Sequence, residues 1–166
     1  MQTVKDVRVF VGSSKDVQDE RDRMPDVVRS VNRLTRPMGV VFHDWRYEAD
    51  ASPALHRDGW KGIVWPELDV AEVVVLVAWN QFREGTQAEL ERAYARFEET
   101  GAPHILPYFS TRPSVLDTEE ACEERKAVLR ARKWFDGKGL YRSYAEPEDF
   151  ARLVTEHLIG LVEKLR

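Results

Sequence analysis

The sequence predicts an α/β fold in which a five-stranded parallel sheet is covered by helices on both faces. Strand-like and helix-like segments alternate along the 166 residues, as in chains built from βα units whose strands run parallel. The run 73–79, VVVLVAW, is apolar at every position. Such a run is typical of a central strand that is buried on both faces.

The elements of the N-terminal half follow from their apolar patterns. A first buried strand is predicted over 7–12 (VRVFVG), and a second over 39–45 (GVVFHDW). Between them, apolar residues at helical spacing predict a helix over 16–34. We expect a kink or a helix restart at Pro25, because proline removes a backbone donor. A loop then leads to a short helix over about 59–68.

The C-terminal half continues the alternation. Gly101 marks the end of a helix, and Pro107 indicates a strand near the sheet edge or a strand end. The predicted elements are a third strand over 71–79, a helix over 86–100, a fourth strand over 104–109, a charged helix over 118–133, a weak fifth strand over 140–144 and a last helix opened by Pro147. Right-handed crossovers favour the flavodoxin-like strand order 2-1-3-4-5, with its switch point between strands 1 and 3.

Composition excludes several classes of function. The chain fits one domain over 1–166, which can also be part of a longer protein. Its formal net charge of −4 argues against direct binding of nucleic acid. The single cysteine excludes an internal disulfide, and the four histidines show no metal-ligand spacing, so no metal is expected. No run is long enough to span a membrane, and we expect a cytoplasmic protein.

Two segments converge at the predicted switch point. The strand order brings Gly12, Ser13 and Ser14, after the first strand, beside the turn 85–89 after the third. Ligands of open α/β sheets bind at this edge. Gly12-Ser13-Ser14 can bind a phosphate or ribose through amides and hydroxyls at a helix N-terminus. Alternatively, a serine here only caps the first helix.

Glu89 is the candidate catalytic residue. It lies off the apolar stripe of the helix 86–100, one turn in, at the rim of the predicted cleft. A carboxylate there can act as a nucleophile or stabilise an oxocarbenium ion. The alternative is structural, because Thr86 to Glu89 matches a capping box in which each side chain binds an orphan amide.

Aromatic and basic residues near the strand ends complete the candidate site. Trp45, Trp79 and Phe82 can form a wall that stacks on a base or a nicotinamide ring, or they can be ordinary rim packing. Arg46 and Arg83 can pair with a substrate phosphate, or they can be solvated surface charges.

Four segments resemble a bacterial branch of the TIR-like (Toll/interleukin-1 receptor-like) family, which is related in fold to nucleoside deoxyribosyltransferases. The similar segments are VRVFVGSSKDVQDER at 7–21, AEVVVLVAWNQFREGTQAELERA at 71–93, HILPYF at 104–109 and EPEDFARLVTEHL at 146–158. The resemblance covers nearly the whole chain. It implies a flavodoxin-like domain of a protein in bacterial defence or signalling.

The resemblance also implies an activity. Catalytic members of the wider group cleave NAD and release nicotinamide, so NAD is expected as a substrate and no cofactor is expected. Glu89 would be the catalytic carboxylate, with Ser13 and Ser14 on the ribose or phosphate side. Self-association of the domain through residues 46–58 would complete the pocket. The residues expected to bind the nucleotide are Gly12, Ser13, Ser14, Trp45, Trp79, Phe82, Arg83 and Thr86.

Two other functions remain open at this stage. Many TIR domains only assemble with partners, so the chain can be a non-catalytic interaction or nucleotide-sensing module in which Glu89 is a helix cap. It can also be a deoxyribosyltransferase-like enzyme, because those enzymes use a glutamate in a comparable setting to attack a sugar C1.

Overall fold

The sheet has five parallel strands in the order β2-β1-β3-β4-β5. This order confirms the predicted fold class and topology. The computed structural model describes residues 3–166, so residues 1 and 2 of the predicted domain lie outside it. The strands are β1 (Lys5–Gly12), β2 (Val40–Trp45), β3 (Val73–Ala78), β4 (His104–Ser110) and β5 (Arg142–Tyr144).

Helices cover both faces of the sheet. They are α1 (Gln18–Thr35), α2 (Tyr47–Asp50), α3 (Trp60–Val70), α4 (Glu84–Thr100), α5 (Glu119–Asp136) and α6 (Pro147–Leu165). A short 3-10 turn, Lys15–Val17, precedes α1. The four-residue helix α2 has no counterpart in the sequence prediction, because a single turn is too short to show a periodic pattern. None of the helices within 3–166 is long and apolar enough to cross a membrane.

Alternate residues of the strands pack into hydrophobic cores on opposite faces of the sheet. On β1, Val7, Val9 and Val11 pack with α1 and α6, whereas Phe10 points to the other face and packs with α3 and α4. A further cluster on that second face joins the ends of β3 and β4 to α4 and α5. The sheet is therefore the middle layer of three, as the continuous apolar run of β3 predicts.

Pro107 lies where β4 has a free edge. Strand β5 pairs with β4 only from Tyr108 to Ser110. Within residues 3–166, no strand therefore lies beside Pro107 on the β5 side, and the missing backbone N–H of this proline leaves no sheet hydrogen bond unmade there. This confirms the expectation of an edge or strand end. The fifth strand is shorter than predicted and begins at Arg142, two residues after the exposed Leu140.

The expected restart at Pro25 is wrong, since α1 is one helix from Gln18 to Thr35 with Pro25 inside it. Proline leaves the carbonyl four residues earlier, that of Arg21, without its helical donor. The Arg46 guanidinium donates to this carbonyl at 3.1 Å. The missing backbone bond is thus replaced by a side chain from the segment after β2, which fixes that segment beside α1.

Candidate functional site

A cleft of about 660 Å³ opens at the carboxyl edge of the sheet, beside the ends of β1 and β3. This is the switch point of the strand order, where ligands of such sheets bind. Its walls come from the end of β1, the starts of α1 and α4, and helices α2 and α3. The lining residues are Val11, Ser13, Ser14, Lys15, Gln18, Arg21, Tyr47, Glu48, Trp60, Val64, Arg83, Gly85, Thr86 and Glu89.

Glu89 is the acid of this cleft, and its side chain is partly buried. Its Oε2 is enclosed and has no hydrogen-bond partner within residues 3–166. Burial raises the pKa of the carboxyl to about 8; the positive charge of Arg21 opposes this effect and the negative charge of Glu48 reinforces it. A carboxyl group that is desolvated, unpaired and placed in a cleft is a candidate functional group.

Gly12 lies directly beside the Glu89 carboxylate and has no side chain that would occupy its space. A Cβ placed on Gly12 would lie 3.0 Å from Glu89 Oε2 and 3.4 Å from Leu76 Cδ1. The absence of a side chain on Gly12 therefore leaves the space that the carboxylate occupies. Gly12 acts on the site through this close approach of β1 to Glu89.

The capping box predicted for Thr86 and Glu89 does not form, so that alternative is wrong. Helix α4 begins at Glu84, two residues before the prediction, with Arg83 at the N-cap position. Thr86 Oγ1 instead shares a hydrogen bond of 3.3 Å with Ser14 Oγ. A helix start that is held by a residue from another segment of the chain does not need its local cap, and Glu89 does not cap α4.

Ser14 is that residue, and it is buried. Its Oγ accepts the backbone amide of Arg83 at 3.1 Å, and it makes no capping bond to the 3-10 turn that follows it. The alternative in which a serine here only caps the first helix is therefore wrong for Ser14. Nearby, Asp16 accepts the amide of Asn80 at 2.7 Å, so these two side chains tie β1 to the segment after β3.

An ion pair between the buried Arg21 and the partly exposed Glu48, which the sequence prediction did not include, forms one wall of the cleft. Arg21 Nε donates to Glu48 Oε1 at 2.7 Å, its Nη2 donates to Glu48 Oε2, and its Nη1 donates to Ser13 Oγ. Burial alone would raise the pKa of Glu48, but the hydrogen bonds and charge of Arg21, with the charge of Arg46, lower it overall. Apolar periodicity gives no signal for this pair. The only hint is an arginine on the face of α1 that is otherwise buried.

The predicted aromatic wall is placed elsewhere. Trp45 is buried and stacks on Phe10, with ring centroids 5.5 Å apart. Trp79 donates its indole N–H to the carbonyl of Arg112 at 3.0 Å, and Phe82 is buried in the cluster with α4 and α5. None of the three lines the cleft.

Two other aromatic residues line the cleft instead. Trp60, the first residue of α3, and Tyr47, on α2, are 37% and 46% exposed. The Trp60 ring comes within 3.9 Å of a Cβ placed on Gly85, so it faces the start of α4. The sequence signal available for this position was a tryptophan directly after the predicted loop.

The two arginines differ in their surroundings. The Arg46 side chain is only 13% exposed and lies 3.6 Å from both Asp22 and Asp44, so the alternative of a solvated surface charge is wrong for it. The Arg83 side chain is 55% exposed and pairs with Glu124 at 2.9 Å. Of the two, Arg83 reaches the cleft.

A neighbouring cavity of about 720 Å³ is larger, but its chemistry is poorer. It is bounded by Tyr47, Glu48 and Ile63, by the partly buried Ala51 and by the exposed residues 52–55. Glu48 is its only charged lining residue, and that carboxylate is already paired with Arg21. We therefore take the cleft with Glu89 as the candidate site.

A second buried carboxylate, Glu20 on α1, lies outside the cleft. Its Oε2 accepts hydrogen bonds from Arg112 Nη2 at 2.8 Å and from the hydroxyl of Tyr144, while its buried Oε1 has no partner among residues 3–166. Burial raises the pKa of Tyr144, and the hydrogen bond to Glu20 adds to the effect. These contacts hold α1 against β5 and the loop after β4.

Comparisons with known proteins show no family for this chain. No family model matches the sequence, and no curated protein matches it. Among solved structures, the flavodiiron protein from Giardia intestinalis is similar, with a TM-score of 0.47 and 15% identity over 98% of this chain. The match covers 36% of that protein's chain, so this chain spans little more than a third of it.

These comparisons contradict the assignment to the TIR-like family. No family model supports it, and a solved structure to which the chain is similar is a flavodiiron protein. Each quoted motif consists of a buried strand, a helix start or an amphipathic helix. Any parallel α/β sheet needs such segments in that order, so the motifs indicate the fold, which the strand order confirms.

Proposed function

We propose that this chain hydrolyses the N-glycosidic bond of NAD and releases nicotinamide, with Glu89 as the catalytic carboxylate. The observation that carries the proposal is the Glu89 side chain, which lines the cleft at the switch point and whose Oε2 has no partner within 3–166. A buried acid without a structural partner lowers stability, and a functional role accounts for its presence.

The chemistry needs little more than this group. In NAD the leaving nicotinamide carries a positive charge, so it departs as a neutral molecule and no general acid is required. The bond from ribose C1 to the ring nitrogen breaks, and its electron pair goes to nicotinamide. The carboxylate stabilises or traps the ribosyl cation. Water then supplies the hydroxyl group, and its proton goes to solvent.

The raised pKa is compatible with this role. Before substrate binds, Glu89 holds its proton at neutral pH, because its pKa is about 8. A cationic nicotinamide ring nearby favours the anion and lowers that pKa when the substrate binds. The substrate itself would therefore generate the carboxylate that attacks it.

The cleft suits a nucleotide in size and composition. Its volume of about 660 Å³ is in the usual range for small-molecule sites. Trp60 and Tyr47 offer partly exposed rings for stacking, and Ser13 and Lys15 supply polar contacts on the side of β1. Self-association through 46–58 stays a prediction, and so does a role in bacterial defence or signalling.

The test is release of nicotinamide, followed by chromatography over a range of protein concentrations. We expect the wild type to release it and Glu89→Gln to be slower by at least about 10³-fold, because glutamine cannot act as an anion. The matched control is Glu91→Gln on the same helix. Glu91 is exposed and bonds only to Gln87, so this variant keeps full activity.

Three outcomes would contradict the proposal. Equal losses of nicotinamide release in Glu89→Gln and Glu91→Gln would show that Glu89 is not the catalytic carboxylate. NAD binding without turnover at any protein concentration would favour the non-catalytic module. Cleavage of deoxynucleosides with NAD left intact would favour the deoxyribosyltransferase-like enzyme.

A further inference from the structure

Arg21 is a buried cation at the wall of the cleft. Its side chain is 7% exposed, and arginine stays charged in proteins. Such a charge requires an anionic partner, since an unpaired buried cation is strongly unfavourable. Glu48 supplies that anion through two parallel hydrogen bonds from Nε and Nη2.

Glu48 is held less firmly than Arg21. Its side chain is 35% exposed, and it lies on α2, a helix of only four residues. Residues 52–58 beyond α2 are exposed and form no helix or strand. Glu48 can therefore leave Arg21 by a local shift of this segment, whereas Arg21 is fixed on the long helix α1.

A phosphate group fits the place that Glu48 occupies. The planar guanidinium of arginine binds carboxylate and phosphate oxygens with the same two-pronged geometry. The Arg46 guanidinium also lies 3.9 Å from Glu48, so a second cation faces this position. Arg21 and Glu48 border the same cleft as Glu89, and a phosphate on Arg21 would belong to a ligand that also reaches Glu89.

We propose that Arg21 is the phosphate anchor of the cleft and that Glu48 occupies it while the cleft is empty. A ligand phosphate displaces Glu48, so the site selects nucleotides over nucleosides. This inference rests on the proposed function for the identity of the substrate, but it does not depend on turnover. It assigns Glu48 the role of a competing anion within the protein.

The test is equilibrium binding by calorimetry, with inorganic pyrophosphate, ADP-ribose and adenosine as probes. We expect Glu48→Gln to bind pyrophosphate and ADP-ribose roughly tenfold more tightly than the wild type, because the competing charge is gone. Adenosine has no phosphate, so its affinity stays unchanged. Unchanged or weaker binding of both phosphate ligands by Glu48→Gln would overturn the proposal.

Two further variants control for charge and for folding. Glu67→Gln removes the same charge from a glutamate of similar exposure, 33% against 35% for Glu48, which pairs with Arg8 outside the cleft. This variant binds like the wild type. Arg21→Gln combined with Glu48→Gln leaves a neutral pair that can hydrogen-bond without an unpaired charge. We expect this double variant to bind pyrophosphate at least tenfold more weakly than Glu48→Gln, and equal affinity would overturn the anchor.

The outcomes separate this inference from the proposed function. Tight phosphate binding in Glu48→Gln, in a protein that never cleaves NAD, would reject hydrolysis and keep the anchor. NAD hydrolysis with an unchanged KM in the double variant would reject the anchor and keep hydrolysis.

Discussion

Two carboxylates with buried oxygens lie near the carboxyl edge of the sheet, and their surroundings differ. Glu20 on α1 is completely buried, and it accepts hydrogen bonds from Arg112 and Tyr144. Glu89 on α4 has no partner for its enclosed Oε2, and it faces a cleft of about 660 Å³. Both have an oxygen without a hydrogen bond, so burial alone does not distinguish their roles.

The difference lies in what compensates the cost of burial. At Glu20 the cation of Arg112 and a phenol hydroxyl offset the lost hydration, and the group holds three elements together. At Glu89 only the more distant charge of Arg21 opposes the loss. An uncompensated acid beside open space makes Glu89 the candidate functional group of the molecule.

The largest expected effect is on stability at Glu20. Glu20→Gln leaves the Arg112 cation without its counter-charge and lowers the free energy of unfolding by about 3–5 kcal/mol. Urea unfolding at neutral pH measures it. The control Glu156→Gln breaks an exposed pair with Arg152 and changes stability by less than about 0.5 kcal/mol. A loss at Glu20 as small as that of the control would remove the distinction between the two carboxylates.

The second effect is the pH dependence of stability that Glu89 creates. Its pKa rises from an ordinary 4.5 to about 8 on folding, so the folded protein holds this proton more tightly than the unfolded chain. The contribution is full below pH 4.5 and is lost as the pH rises toward 8. Glu89→Gln should therefore gain stability relative to the wild type over this window, by up to about 1.4 kcal/mol per pH unit.

Urea unfolding of wild type and Glu89→Gln at several pH values measures this effect, because the other titrating groups cancel in the difference. Solvent in the cleft reduces the slope below its upper limit. A constant difference between pH 5 and 8 would show that Glu89 is not desolvated in solution.

The third effect is on catalysis. Because Glu89 must be ionised to attack, kcat/KM for NAD should rise with pH and level off above about 8, close to the pKa of the free protein. The expected gain from pH 7 to the plateau is about tenfold. Initial rates at low NAD concentration measure it, with Glu91→Gln as the control. A profile that falls over this range would assign Glu89 the role of a proton donor.

The smallest effect comes from Gly12→Ala. The new methyl group would press on Glu89 Oε2 at 3.0 Å, so the carboxylate moves by a few tenths of an ångström. We expect a loss of kcat of roughly three- to tenfold, because reaction rates are sensitive to such displacements. Gly160→Ala on α6 meets nothing within 4 Å and leaves kcat unchanged. A normal kcat in Gly12→Ala would show that the position of the carboxylate is not critical.

Much of the fold was predictable, because each element carries its own local signal. The apolar run of β3 and the βα alternation predicted the sheet and its order, and glycine at 101 correctly ended α4. The exceptions are informative. Helix α2 is too short to have a period, and α1 passes through Pro25 because Arg46 donates to the carbonyl of Arg21.

The site was predictable in part. Gly12, Ser13, Thr86 and Glu89 come together as the strand order predicts. The pair Arg21 and Glu48 is separated by 27 residues, and Ser14 meets Thr86 across 72. No local pattern encodes contacts of this kind. The tryptophans are a second example of what local patterns miss. Their positions after strands predicted that Trp45 and Trp79 lie at the rim of the cleft, but Trp45 packs on Phe10 and Trp79 bonds to the carbonyl of Arg112.

The sequence by itself determined the order of strands and helices, the sheet edge at which the two loops meet, and the presence of one glutamate at that edge. Hydrophobic periodicity and chain connectivity are properties of neighbouring residues, so they can be read along the chain. Only the tertiary structure decided which carboxylate is compensated. Burial, hydrogen-bond partners and pKa depend on groups that distant segments bring together, and these separate Glu89 from Glu20.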